Sequence, residues 1–145
     1  MLYTVYTDGA GNDVTNVAGC SYCILTDKDF IQSGCTRLVD MCNPTHAETI
    51  AVGLALNSLL SAVDITDKDT IHINTDCLAV VDFCNSYADN NDSIRSNIPA
   101  VRSTIKVVRE VSKLCTLKFR KVKAHKNFLN PNTYVDRLAK LSIWR

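Results

Sequence analysis

The chain predicts a mixed α/β (α+β) domain: one five-stranded sheet flanked by helices, with elements in the order βββαβααβα. Three observations carry this expectation. The first forty residues alternate β-branched and aromatic runs with Gly and Asn punctuation, long helical periodicities occupy the middle, and two further short strand patterns are each followed by a helical one. The first three strands form an antiparallel meander, and the other two need helical crossovers, which makes the sheet mixed.

Residues 2 to 7 and about 18 to 26 read as strands rich in Tyr, Val, Thr, Ile and Cys, separated by Gly9, Gly11, Asn12, Asp13 and Asn16. About 30 to 38 supplies the third strand. Thr45 then begins a helix to about Val63, with Thr45 and Glu48 at capping-box spacing. Ala47, Ile50, Ala51, Leu54 and Ala55 on one side are opposed by Val52, Leu56, Leu59 and Leu60 on the other, the pattern of a helix buried on most sides. After the acidic loop Asp64 to Asp69, the run Ile71 to Asn74 is short and apolar, as an interior strand should be. Asp76 starts a second helix that ends near Asn85, and residues 86 to 92 are polar enough for a loop.

Pro99 suits the first turn of a third helix, which runs to about Lys113 with Ile98, Val101, Ile105 and Val108 as its apolar stripe. Cys115 to Val122 reads as a strand whose solvent side carries Lys118 and Arg120, a protected edge. Pro131-Asn132 caps a last helix with Val135, Leu138, Ala139 and Ser142 on one side.

A chain of 145 residues that is 46% hydrophobic fits one domain, residues 1 to 145, and excludes a largely disordered protein. No apolar run reaches bilayer length and no basic leader with a cleavage site opens the chain, so no membrane association and a cytoplasmic location are expected. The net charge of +1 hides a polarity: residues 1 to 101 hold 13 acidic and 4 basic side chains, residues 102 to 145 hold 2 and 12. Such a basic C-terminal part suits a polyanionic partner. Seven cysteines are expected as reduced, mostly buried thiols. Cys20 and Cys23 resemble half a zinc site, with Cys42 and His46 as imagined further ligands, but the pair lies in a strand pattern and no second close pair follows.

Four carboxylates stand out by context: Asp8 in Tyr6-Thr7-Asp8-Gly9, Glu48 in Thr45-His46-Ala47-Glu48, Asp76 in Asn74-Thr75-Asp76-Cys77, and Asp136 in Asn132-Thr133-Tyr134-Val135-Asp136. Each alone has a structural explanation: a Gly-containing turn, a capping box, a helix cap, and a negative charge near a helix N-terminus. Jointly, in this order and on these elements, they are hard to explain as capping. If the fold gathers them, such a cluster stays charged only with bound cations, which is the signature of two-metal phosphodiester hydrolysis.

Over nearly its whole length the chain resembles type 1 ribonuclease H. The resemblance rests on Tyr6-Thr7-Asp8-Gly9, Ala47-Glu48, Thr75-Asp76, and Val122-Lys123-Ala124-His125 followed by Asn132 to Ala139; the last block is the most specific. It implies an RNase H-like fold and hydrolysis of the RNA strand of an RNA/DNA hybrid, with two Mg²⁺ ions or Mn²⁺ in their place, leaving 5′-phosphate and 3′-hydroxyl ends. By the same resemblance Asp8 bridges the metals, Asp136 serves the ion that activates water, and Glu48 and Asp76 serve the ion on the leaving side. Glu48 also meets the ribose 2′-hydroxyl, and His125 shuttles a proton or aids product release.

Gly9, Asn43, Thr45, Cys77 and Asn132 are the candidate substrate contacts around these acids. The chain departs from the family in several places. Asn43-Pro44-Thr45-His46 stands where paired Asn residues are common, Cys77 where Ser is common, and Phe128 and Leu129 follow His125 in place of small residues. The segment before Pro99 is too short for the basic, Trp-containing handle of some members. Affinity must then come from elsewhere on the chain, from a fused or partner nucleic-acid-binding domain, or be low; the chain is otherwise expected to be a monomer. Arg102, Lys106, Arg109 and Lys113, at helical spacing, form a basic stripe that could meet phosphates, reinforced by Lys118, Arg120, Lys121 and Lys123 of the adjoining strand.

Two other classes compete. A proofreading-type exonuclease would carry an acid where Ala10 stands, and a junction resolvase a second acid soon after Asp136, where Arg137, Leu138, Ala139 and Lys140 follow instead. A non-catalytic hybrid-binding module would be expected to have lost one of the four carboxylates.

Overall fold

The computed structural model describes residues 1–123 and 131–143. Its elements are β1 (Leu2–Asn12), β2 (Val17–Leu25), β3 (Phe30–Val39), α1 (Pro44–Ala62), β4 (Thr70–Thr75), α2 (Leu78–Ala88), α3 (Pro99–Leu114), β5 (Thr116–Lys121) and α4 (Pro131–Ile143). The order is the expected one. A single sheet runs β3-β2-β1-β4-β5, antiparallel through the meander and parallel between β1, β4 and β5. Ile71–Asn74 lies in an interior strand, and β5 is an edge, both as their composition implied.

Strand periodicity decides which residues reach which face. Tyr3 and Val5 on β1, Tyr22 and Ile24 on β2, Ile71 and Ile73 on β4 and Phe119 on β5 point to one side, where Val52, Leu56 and Leu59 of α1 and Val107, Val108 and Val111 of α3 complete the main core. Ile24, Leu56, Leu59, Ile71 and Ile73 are fully buried, and cutting any one back to Ala should cost about 2–5 kcal/mol. α4 lies on the opposite side, over β1, β2 and β3, seated by Val135, Ala139 and Ser142. Gly19 permits that seat, since a Cβ there would strike the Ala139 carbonyl. Ser21 Oγ donates to the Val135 carbonyl across the same contact.

Three boundaries differ from expectation for identifiable reasons. β1 continues through Gly9 and Gly11 to Asn12, and the turn falls at residues 13–16, closed by Asn12 Oδ1 accepting from Val14 N (3.0 Å) and by Asn16 at φ 52°. The glycines are there for close approach: a Cβ at Gly9 would lie 2.7 Å from the Ala47 carbonyl carbon, and one at Gly11 2.8 Å from that of Cys42. α1 starts at Pro44 and is capped by Asn43, whose Oδ1 accepts from Thr45 N (2.9 Å) and His46 N (3.2 Å). The capping box on Thr45 therefore does not form, because a proline at N1 shifts the cap upstream. α2 starts at Leu78, after Asp76, with Cys77 as a cap that makes no side-chain cap bond, and it runs on to Ala88. Asp76 is thus freed from capping.

The α2–α3 connection, residues 89–98, is held by α3. The Arg109 guanidinium donates to the carbonyls of Tyr87 (3.1 Å) and Asp92, and lies 5.4 Å from the centre of the Tyr87 ring. Arg102 Nη1 donates to Ile94 O (3.1 Å) and Ser96 O (3.0 Å). Cys20 and Cys23 sit three residues apart on β2, so their side chains leave opposite faces and cannot share a tetrahedral ion. Burial pushes both thiols up to about 12. No helix among the described residues is long and apolar enough to cross a membrane.

Candidate active site

Three carboxylates converge at the end of the sheet where β1 and β4 run side by side. Asp8 stands on β1, Asp76 just beyond the end of β4, and Glu48 one turn into α1. Parallel pairing of β1 with β4 brings the two strands into one register, and side-chain-free Gly9 lets α1 close in, since a Cβ there would strike the Glu48 amide. One oxygen from each of Asp8, Glu48 and Asp76 lies within 4.8 Å of the others. Asp136, on α4, approaches Asp8 from the other layer and adds to the rise in its pKa. Its Oδ2 also accepts from Lys140 Nζ at 3.1 Å, an exposed pair one helical turn apart and worth little.

Asp8 is the most constrained of the four. It is 3% exposed; Oδ1 accepts from Gly9 N at 2.8 Å, whereas buried Oδ2 has no donor. Burial first, then the charge of Asp76 and the contact with Asp136, push its carboxyl up to about 9. Burial also raises Glu48, an effect opposed by hydrogen bonds from Cys77 and Asp8. Asp8, Glu48 and Asp76, crowded together around an orphaned oxygen, form a donor set for a hard divalent ion, which takes oxygen ligands. The residues therefore fit such a metal.

The remaining candidates fall into separate groups. Cys77 borders the cluster and hydrogen-bonds Glu48. Asn43 caps α1 and Thr45 is exposed beside it. Asn132 is buried at the start of α4 with Nδ2 donating to Lys123 O at 3.5 Å. His125, Phe128 and Leu129 lie outside the described residues. The basic stripe divides in two: Arg102 and Arg109 hold residues 89–98, whereas Lys106 and Lys113 are exposed. Of the β5 cations expected to adjoin the stripe, Lys118 and Arg120 alternate with inward Phe119 and point to the other side of the sheet from α3, whereas Lys121 shares the side of Phe119.

Sequence reading gave no role to Thr7 and Asn74, each buried with an oxygen that has no donor. The available signal was polarity inside otherwise apolar strands.

Comparison with known proteins agrees with this architecture. The structure is similar to RNase H1 from the halophilic archaeon Halobacterium salinarum NRC-1, with a TM-score of 0.72 and 17% identity over 99% of this chain and 98% of that one. It is also similar to the N-terminal RNase H domain of Rv2228c from Mycobacterium tuberculosis, solved as a fusion with maltose-binding protein, with a TM-score of 0.73 and 15% identity over 98% of this chain and 93% of that one. At such identities these likenesses establish the fold alone. No curated protein matches the chain significantly. The family model for RNase H matches residues 2–143, and with nearly the whole sequence, the strand order and the gathered carboxylates in agreement, the chain belongs to the RNase H family.

Proposed function

We propose that residues 1–145 form a single catalytic domain that cuts the RNA strand of RNA/DNA hybrids internally by two-metal-ion hydrolysis, leaving 5′-phosphate and 3′-hydroxyl ends. The observation that carries this reading is the orphaned, buried Oδ2 of Asp8 within a group of three carboxylates whose oxygens lie within 4.8 Å. Asp8, Glu48, Asp76 and Asp136 would hold the ions, Mg²⁺ or Mn²⁺ by the hardness of the ligands. Such ions supply an activated water and stabilise the entering and departing oxygens.

The chain's own residues position and select. Asp8 is fixed by its bond from Gly9 N, and Glu48 is oriented by Cys77 and by the close seat of α1 on Gly9. Glu48 meets the ribose 2′-hydroxyl, the group that separates RNA from DNA. His125 moves a proton or helps release product. Gly9, Asn43, Thr45, Cys77 and Asn132 surround the scissile strand, and Lys106 and Lys113 add phosphate contacts. The protein acts as a monomer in the cytoplasm, in keeping with seven unpaired thiols.

A uniformly labelled hybrid incubated with and without Mg²⁺, beside double-stranded RNA and DNA, tests the reading. Internal RNA cuts confined to the hybrid and to the metal-containing lane are expected. Trimming from ends, or retention without cleavage, would overturn it.

A further inference from the structure

The face of the sheet that carries Asp8 continues away from the carboxylates as two ordered rows. Pairing of β1, β4 and β5 aligns Tyr6, Asn74 and Arg120 in the nearer row, and Thr4, His72 and Lys118 in the next. α4 covers β1, β2 and β3 on this side, while Lys118 and Arg120 are exposed and Tyr6 and His72 half-buried. We propose that this face, through Tyr6, Asn74, Arg120 and Lys118, binds a single strand of RNA continuing from the hybrid held at the carboxylates. The inference rests on the hydrolytic reading above and names where the substrate goes beyond the cut.

Three features point to this occupant. Neither row contains an acidic side chain, and the Arg120 guanidinium reaches His72 Nδ1 at 3.1 Å. Burial and the charges of Arg120 and Lys118 lower the His72 pKa, as a local positive potential requires. Asn74 is 3% exposed and its amide oxygen has no donor, so a polar acceptor is held ready beside the exposed row. An exocyclic amine or a 2′-hydroxyl would satisfy it.

Tyr6 supplies an aromatic edge or face on which a base can rest, and stacking of this kind tolerates any sequence. Lys118 and Arg120, two residues apart on one strand, place their charges about 7 Å apart at the backbone, a repeat that an extended phosphodiester chain can follow. Cations, an amide and one aromatic ring are the parts of a single-strand platform, whereas a protein interface needs an apolar centre that these rows lack.

Fluorescence anisotropy in EDTA decides the matter with a blunt hybrid and with the same hybrid carrying an RNA extension of about eight nucleotides at either end. An extension at one end should tighten binding by the wild-type protein roughly five- to tenfold. The gain should vanish in the exposed double variant Lys118→Gln/Arg120→Gln, with the log-log salt slope for the extended substrate falling by roughly one to two. Tyr6→Leu should remove part of the gain. Equal affinity for blunt and extended hybrids, a gain that survives the double variant, or displacement of the extension by an acidic peptide as readily as by RNA would overturn the proposal. Cleavage of the blunt hybrid by the wild-type protein tests the underlying activity separately.

Discussion

Replacing Asp8 with Asn should make the metal-free protein more stable while abolishing cleavage. The folded protein holds this carboxyl at about 9 against 3.8 for a free side chain. A pKa raised by folding contributes stability that is fully present below about pH 4, declines as pH rises, and is gone above about pH 9. Between those limits the unfolded chain ionises and the folded one does not. At pH 7 the difference is worth at most roughly 4 kcal/mol, and sharing of the proton among neighbouring carboxylates should reduce the realised gain in Asp8→Asn to about 1–3 kcal/mol. Urea unfolding followed by circular dichroism in EDTA, at several pH values from 5 to 9, measures it. The variant minus wild-type difference should grow with pH by no more than ~1.4 kcal/mol per unit, the limit for one proton. Mg²⁺ at about a thousand times its Kd should reverse the order, because an ion that binds only the folded wild type then adds about 4.1 kcal/mol. Parallel stability curves for the two proteins across the pH range would show that Asp8 is not strained, and the case for a cation at its orphaned oxygen would fall with it.

Four further outcomes follow from the packing. Gly9→Ala should leave a folded protein with at least tenfold lower turnover, seen in the hybrid assay, since a Cβ there meets the Glu48 amide and pushes α1 from the cluster. Gly53→Ala, normally a gain of about 1 kcal/mol inside a helix, should instead destabilise by about 1–3 kcal/mol in urea titration, because the Cβ meets Thr104 Oγ1 across the α1–α3 contact. Arg109→Met should cost about 1–3 kcal/mol and speed amide exchange within residues 89–98, which it ties down through the carbonyls of Asp92 and, at the end of α2, Tyr87. Lys106→Ala/Lys113→Ala should flatten the salt dependence of hybrid affinity by roughly one to two without changing turnover at saturation; an unchanged slope would place the phosphate track elsewhere.

The fold was readable because its hydrophobic pattern is unambiguous. α1 is apolar on nearly every side and proves buried along most of its length, and the Ile71–Asn74 run alternates its two isoleucines with His72 and Asn74, so that Ile71 and Ile73 reach the main core together. Boundaries were less readable where a residue has two uses. Gly9 and Gly11 look like turn residues, yet they lie in β1, since the same missing side chain that frees a turn also admits a neighbouring helix. Thr45 and Glu48 have the spacing of a capping box, but Pro44 makes Asn43 the cap and leaves Glu48 to the cluster. The first of these competitions is tertiary and leaves no trace in local sequence, whereas the second is local, since Asn43-Pro44 is itself a helix-start signal.

The candidate site divides along the same line. Asp8, Glu48 and Asp76 were legible because acids at the ends of apolar strands and inside a buried helix have no cheap structural explanation once taken together, and the structure does gather them. The charge stripe was not legible, because periodicity reports which side of a helix a residue occupies and says nothing of what waits there. Arg102 and Arg109 share a side with Lys106 and Lys113, yet the planar, five-donor guanidinium can tie down several loop carbonyls where an ammonium is a compact point charge. That difference turns a stripe of four equal charges into two loop anchors and two exposed cations. On β5 the period of two sends Lys118 and Arg120 away from α3. The basic C-terminal part of the chain is therefore split between the two sides of the sheet, and only the β5 side shares a face with Asp8, so a strand leaving the carboxylates meets Arg120 and Lys118 without crossing the edge of the sheet.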